Sequence, residues 1–172
     1  MKPGIIAIIV AAVTLWGCSA TSSTSGSTRK EVKKDQAAAS FEKTASLVES
    51  GNYQFAIRSA TPSGGKTIQI TSLYTMKVSD GTYAAYLPYF GRAYSGGYGD
   101  SGGIEFSGDP ENLKINRDDA KNKIAVSFTI KSPGDQYSVN MEVGGSGYGT
   151  LVISGDKKQT ISYYGLTGEL QD

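Results

Sequence analysis

The stretch from Tyr86 to Phe106, YLPYFGRAYSGGYGDSGGIEF, concentrates the side chains that could bind a ligand. It holds six aromatic residues and six glycines in twenty-one positions. Tyrosine combines a flat apolar face with a hydroxyl and loses little entropy when it is immobilised, which suits a sugar, a peptide or an apolar ligand. The residues that we expect to contact such a ligand are Tyr86, Tyr89, Phe90, Arg92, Tyr94 and Tyr98.

The same stretch also fits a purely structural interpretation. Aromatic cross-strand pairs stabilise a sheet by about 0.2 to 1 kcal/mol each, and glycine permits turns with positive φ. The glycines do not match a phosphate-binding P-loop, because neither Lys-Ser nor Lys-Thr follows them and no helix is predicted after them. Binding and sheet packing both remain open as roles for these aromatic residues.

Catalysis has few candidate residues in this chain. The sequence has no histidine, which excludes nucleophile pairs of the Ser-His and Cys-His types. Paired carboxylates can hydrolyse glycosides when they lie about 5 to 9 Å apart. We predict a protein that is not an enzyme and that uses no cofactor or metal, since neither EF-hand spacing nor a Cys-rich zinc pattern is present. The acids that define the hydrolase alternative are Asp100, Glu105, Asp109 and Glu111.

The N-terminal residues predict export and lipid attachment. Lys2 supplies a short positive region, and the apolar run from Ile5 to Val13 is shorter than the ~18 residues of a membrane-spanning helix. Gly17 stands directly before Cys18, as in the lipobox of a bacterial lipoprotein signal. Residues 1–17 are therefore predicted to be a signal peptide, with Cys18 as the lipidated residue.

The remainder is predicted to divide into a tether and one domain. Residues 18–28 are rich in Ser, Thr, Ala and Gly and are expected to behave as a flexible coil. Residues 29–172 have the length of a single domain. The whole chain has 17 basic and 16 acidic residues, and removal of Lys2 with the signal leaves 16 of each. This balance gives nucleic acid no basic surface to bind.

One helix is predicted at the start of the domain, from Arg29 to Gly51. The run is rich in Ala, Lys and Glu, and Gly51 followed by Asn52 gives a stop signal. Apolar residues recur loosely at three- and four-residue spacing, so the helix should pack one face on a sheet. These residues are Val32, Ala39, Phe41, Ala45 and Val48.

The rest of the chain alternates with a period of two, which is typical of strands. Enrichment in β-branched and aromatic residues is found in the segments YQFAIRSA, IQITSLYTMKV and KIAVSFTIK. Residue types typical of hairpin turns occur at Asp80-Gly81, Pro133-Gly134 and Gly155-Asp156. About seven to nine strands should curl, because a mean sheet holds only five or six. We predict a mainly β (α+β) fold in which the helix packs on a curved antiparallel meander, with a barrel or half-barrel favoured over a sandwich.

Three segments, YLPYFGRAY, GGIEF and the closing ISYYGLTG, resemble the family of Bacteroidota lipoproteins known as domain of unknown function 4251. The resemblance covers roughly Phe41 to the C terminus together with the lipoprotein signal. It implies one domain in the cell envelope and assigns no activity. Bacteroidota lipoproteins that are exported to the cell surface often carry an acidic cluster just after the cysteine, and none follows Cys18 directly. The resemblance therefore implies an outer-membrane anchor that faces the periplasm, with surface exposure as the alternative.

Together these features favour a lipid-anchored binding module for an envelope glycan, a peptide or a small apolar ligand. It would contact the membrane through lipid on Cys18 and would not bind nucleic acid. A structural or assembly lipoprotein is the first alternative, and a carboxylate-dependent hydrolase is the second.

Replacement of Cys18 by alanine tests the lipid anchor. We expect Cys18→Ala to abolish lipidation and to leave an unprocessed precursor, because acylation of the sulfur precedes cleavage in this pathway. Incorporation of labelled palmitate measures the outcome. Undiminished label in the variant would contradict the lipoprotein assignment.

Overall fold

The computed structural model describes residues 29–93 and 102–171. Helix α1 spans Arg29–Glu49, which confirms the predicted helix. Within the described ranges, no helix combines the length and the apolar composition of a membrane span. Ten strands follow the helix: β1 Tyr53–Pro62, β2 Ile68–Gln69, β3 Thr75–Ser79, β4 Thr82–Pro88, β5 Gly103–Gly108, β6 Glu111–Asp118, β7 Lys123–Ser132, β8 Asp135–Gly144, β9 Tyr148–Gly155 and β10 Ile161–Gly168.

All ten strands belong to one antiparallel sheet, in the order β5-β4-β3-β1-β10-β9-β8-β7-β6, with β2 paired to the distal part of β1. The two ends of this path, β5 and β6, are separated in the chain only by Asp109 and Pro110. β5 packs against β7, where the Ser132 hydroxyl donates a hydrogen bond to the carbonyl of Glu105 at 2.6 Å. The sheet is therefore a curled half-barrel, which confirms the predicted fold class.

One strand pairing joins the beginning and the end of the chain, and the sequence did not predict it. β1 pairs with β10, the last strand, from Gln54 opposite Gly168 to Pro62 opposite Ile161. The curl produces this pairing, since it brings the first and last strands of the chain side by side.

The segment IQITSLYTMKV, which is enriched in strand-forming residues, is divided between β2 and β3. A bulge between Ile57 and Ser59 shifts the register of β1 at this point. The amide of Ile57 donates to the carbonyl of Tyr74, while the amide of Ile70 donates to the carbonyl of Arg58, both at 2.9 Å. The residues between Ile70 and Tyr74 therefore leave the sheet.

The interior of the half-barrel is filled by side chains from the inward faces of the strands. Alternation is regular along β7, where Ile124, Val126, Phe128 and Ile130 are buried. A ligand is therefore better accommodated outside the sheet than within it. Among the largest fully buried side chains are Tyr53, Tyr163, Phe41, Phe55 and Phe106.

Only the second half of α1 packs on the sheet. Phe41, Ala45 and Val48 are buried, whereas Val32 and Ala39, which the spacing placed on the same stripe, are exposed. The helix contacts β7 and β8, and the Thr44 hydroxyl lies 3.3 Å from the carbonyl of Gly145 between β8 and β9. Val32 and Ala39 remain exposed because they lie in the helical turns before the part of α1 that contacts the sheet.

Two buried tyrosines should make the free energy of unfolding decrease at alkaline pH. Burial raises the pKa of Tyr53 and of Tyr163 well above the usual value of about 10, and neighbouring tyrosines add to the effect. Above pH ~10 the unfolded chain loses protons that the native state retains. The stabilising contribution is therefore fully present below that pH and declines as the pH rises.

We expect the free energy of unfolding to fall by about 1.4 kcal/mol per pH unit for each of these two tyrosines above pH ~10. Urea melts between pH 8 and pH 11 measure the slope. Tyr163→Phe is the control, because it removes one of the two titrating groups and should reduce the slope. A free energy of unfolding that stays constant over this range would contradict the burial of both hydroxyls.

Candidate functional site

Strand β4 positions the first aromatic residue of the predicted site. Tyr83, Ala85 and Leu87 point into the core, whereas Tyr86 faces outward with 54% of its surface exposed. The ring centroid of Tyr86 lies 6.5 Å from that of Tyr74. The alternation predicted from the sequence is confirmed, and it leaves an aromatic face available to a ligand.

Pro88 ends β4, as expected for a residue without a backbone N–H. Its carbonyl accepts a hydrogen bond of 2.8 Å from the hydroxyl of buried Tyr163 on β10. The hydroxyl of Tyr89 lies 2.8 Å from the carbonyl of Arg92 and 3.0 Å from that of Gln159. The chain that leaves β4 is thereby attached to the connection between β9 and β10.

Gly91 is required by the position of the Tyr89 ring. A Cβ atom at residue 91 would lie 2.6 Å from Cζ of Tyr89, which is well inside van der Waals contact. Glycine therefore allows the chain to fold back over the ring, and Tyr89 serves the fold as well as the predicted surface.

Lys158 is a buried cation beneath this segment, and its burial was not predicted from the sequence. Its side chain is only 7% exposed, and its ammonium donates to the carbonyl of Gly103 at 2.8 Å. The ammonium also lies 5.9 Å from the ring centroid of Tyr89, within the range of a cation–π contact. Lys158 thus joins β5, the end of β4 and the connection between β9 and β10. These contacts make a rigid base for the residues that follow Pro88.

The other predicted contact residues are divided between described and undescribed parts of the chain. Phe90 and Arg92 are exposed next to Tyr89. Tyr94 and Tyr98 lie outside the described residues, as does Cys18. We name the described set, Tyr86, Tyr89, Phe90 and Arg92, the aromatic surface.

Of the described acids of the hydrolase alternative, Glu105 lies beside this surface, because it pairs in register with Tyr86. The other two described acids have partners elsewhere. Asp109 accepts a hydrogen bond of 3.2 Å from the hydroxyl of Thr82, and Glu111 pairs with Lys131 at 2.8 Å. Asp100 lies outside the described residues. Among the residues that the structure describes, no group of three or more His, Cys, Asp or Glu side chains could hold a metal ion.

A family model described as domain of unknown function (DUF4251) matches residues 35–167. The chain belongs to this family. The matched region contains the packed half of α1, every strand except the final residue of β10, and the whole aromatic surface. The resemblance that the sequence shows from about Phe41 onward is therefore confirmed.

A solved structure supports the fold independently. The crystal structure of a DUF4251 family protein from Bacteroides eggerthii DSM 20697, at 1.95 Å resolution, is similar with a TM-score of 0.61 and 17% sequence identity. The similarity covers 79% of this chain and 91% of that chain. At this identity it shows the fold alone. A search of curated proteins gave no match.

Adjacent residues of β4 provide a matched stability test. Leu87 is fully buried, so Leu87→Ala should lower the free energy of unfolding by about 2 to 5 kcal/mol. Tyr86→Ala should cost less than about 1 kcal/mol, because that ring faces solvent. Denaturant melts measure the free energy of unfolding of the two variants. Equal losses would mean that Tyr86 is a packing residue and is not available to a ligand.

Proposed function

We propose that this protein is a lipid-anchored, non-catalytic binding module of the cell envelope, and that the aromatic surface is its ligand-contacting site. The observation that carries the proposal is that exposed aromatic rings lie next to residues that hydrogen bonds hold in place. Tyr86 and Phe90 face solvent, while Tyr89 and Lys158 are held by hydrogen bonds that join three parts of the sheet. Loops and strand ends on a rigid scaffold are where binding residues concentrate.

Rigidity supports binding on physical grounds. A side chain that is already ordered loses less conformational entropy when a ligand arrives, so more of the contact energy appears as affinity. Tyr86 extends from a paired strand, and Phe90 follows directly after Tyr89, whose hydroxyl is anchored at 2.8 Å. The candidate ligands are an envelope glycan, a peptide or a small apolar molecule.

The proposed location rests on the N-terminal residues. Cys18 in its lipobox would carry the lipid, and residues 18–28 would hold the domain away from the bilayer. We propose the periplasmic face of the outer membrane, with the cell surface as the alternative.

A second candidate function is assembly with another envelope protein. Leu73 is 78% exposed and directly precedes Tyr74, whose ring neighbours that of Tyr86. An exposed leucine next to a tyrosine fits a protein contact, because exposed apolar side chains mark interaction sites and tyrosine is enriched in binding hot spots. In this case the aromatic surface would contact a protein partner.

Photo-crosslinking in cells distinguishes these roles and tests the proposal. Full-length protein carrying p-benzoylphenylalanine in place of Tyr86 or Phe90 should form a crosslinked adduct with an envelope component. The matched control carries the same group in place of Ser46, which is exposed on α1. An adduct with one protein of defined mass would favour assembly. Absence of adducts at positions 86 and 90, or equal yield at position 46, would contradict the proposal.

A further inference from the structure

Two exposed tyrosines form a stacked pair on the outer face of the sheet, three strands away from Tyr86. Tyr148 on β9 and Tyr164 on β10 are 45% and 48% exposed. Their ring centroids are 5.7 Å apart and the ring planes differ by 9°. The two are diagonal cross-strand neighbours, since Tyr164 pairs in register with Thr150. Their stacking holds two parallel rings on the solvent side of the sheet.

A groove of about 590 Å³ lies beside this pair, along the outer faces of β6 to β9. This volume is within the range of ligand pockets, about 300 to 1,000 Å³. The in-register partners on successive strands form one row of side chains that crosses the groove. The row ends at Tyr164 of the tyrosine pair. The row consists of Asn116, Ala125, Glu142, Thr150 and Tyr164.

The groove presents hydrogen-bonding groups that the fold does not use. Among the described residues, the side chains of two asparagines and two hydroxyl residues have no protein hydrogen-bond partner. An amide offers both donors and an acceptor, and a hydroxyl offers one of each, so these groups can bind donors and acceptors of a ligand. The four residues are Asn116, Ser127, Asn140 and Thr150.

The charges of the groove favour an uncharged ligand. Glu142 is paired with Lys123 at 2.5 Å, which neutralises the one carboxylate of the lining. Lys114 is then the only lining charge without an ion pair among the described residues. A single exposed ammonium can bind a hydroxyl oxygen, whereas a strongly anionic ligand would require a cluster of basic side chains.

We infer that this groove and the Tyr148–Tyr164 pair bind a neutral polysaccharide strand. One ring face of a sugar is covered by C–H groups that can lie on a tyrosine ring, and its edge carries hydroxyls that the asparagine amides and the free hydroxyls can bind. From β6 to β10 the sheet spans four strand spacings, or ~19 Å, which accommodates several linked sugar rings. This site is distinct from the aromatic surface and does not depend on the function proposed for it.

An extended peptide fits this groove less well than a polysaccharide. Peptides that bind sheets generally add a strand at an edge with unpaired backbone groups. The strands β7, β8 and β9 are each paired on both sides, so their backbone groups are already bonded to their neighbours. Recognition on this face has to come from side chains, and hydroxyl-rich ligands offer partners for them.

The test uses full-length protein in a detergent without a sugar headgroup and three neutral probes, cellohexaose, maltohexaose and chitohexaose. Isothermal titration calorimetry should show saturable binding of at least one hexasaccharide. Tyr164→Ala and Asn140→Ala should each weaken it by about tenfold or more, and Tyr164→Phe should retain most of it because the stacking ring remains. Val32→Ala is the control, since it shortens an exposed apolar side chain on α1, outside both candidate sites, and should leave hexasaccharide affinity unchanged.

Three results would overturn the inference. The first is no heat of binding with any of the three probes at millimolar concentration. The second is binding that Tyr86→Ala abolishes and Tyr164→Ala does not, which would assign the sugar to the aromatic surface. The third is binding of a neutral extended decapeptide, used as a second class of probe, without binding of any hexasaccharide. Crosslinking from positions 86 and 90 is independent of these results, so each proposal can fail alone.

Discussion

The antiparallel pairing of β1 with β10 holds the two halves of the sheet together. β3, β4 and β5 lie on one side of this pair, and β6 to β9 lie on the other. Its close fit is visible at Gly165, where an added Cβ would lie 2.8 Å from Cε1 of Phe55. A larger residue there would displace the Phe55 ring from the core or force the two strands apart. Without the pairing, each half would expose its apolar inner face to water.

Strand β10 and the connection before it contribute to both candidate sites. β10 carries Tyr163 to the carbonyl of Pro88, and the connection before β10 carries Lys158 to the carbonyl of Gly103. The aromatic surface is thus built on contacts between residues more than 50 positions apart in the chain. β10 also places Tyr164 beside β9, where it stacks on Tyr148. The region around β10 therefore supports the aromatic surface at the end of β4 and supplies one ring of the tyrosine pair beside the groove.

Local features of the structure could be predicted from the sequence, because they depend on neighbouring residues. The alternation of Tyr86 and Leu87, the strand end at Pro88 and the turn at Asp80-Gly81 all follow from local chemistry. The pairing of β1 with β10 and the burial of Lys158 could not be predicted. The SGDKK segment shows only turn chemistry, and Lys158 is buried by partners that come from a distant strand. The tyrosine stack likewise requires the register of β9 against β10, which no single segment specifies.

Native-state hydrogen exchange tests most directly whether the pairing of β1 with β10 holds the fold together. If it does, those amides of residues 55–60 and 162–166 that bond across this pair should open only when the whole domain unfolds. Their exchange free energies should then equal the free energy of unfolding from urea melts and be at least as large as those of β7 and β8. The account would be contradicted if these amides exchanged through a lower-energy opening while β7 and β8 stayed protected, because the two halves would then separate before the domain unfolds.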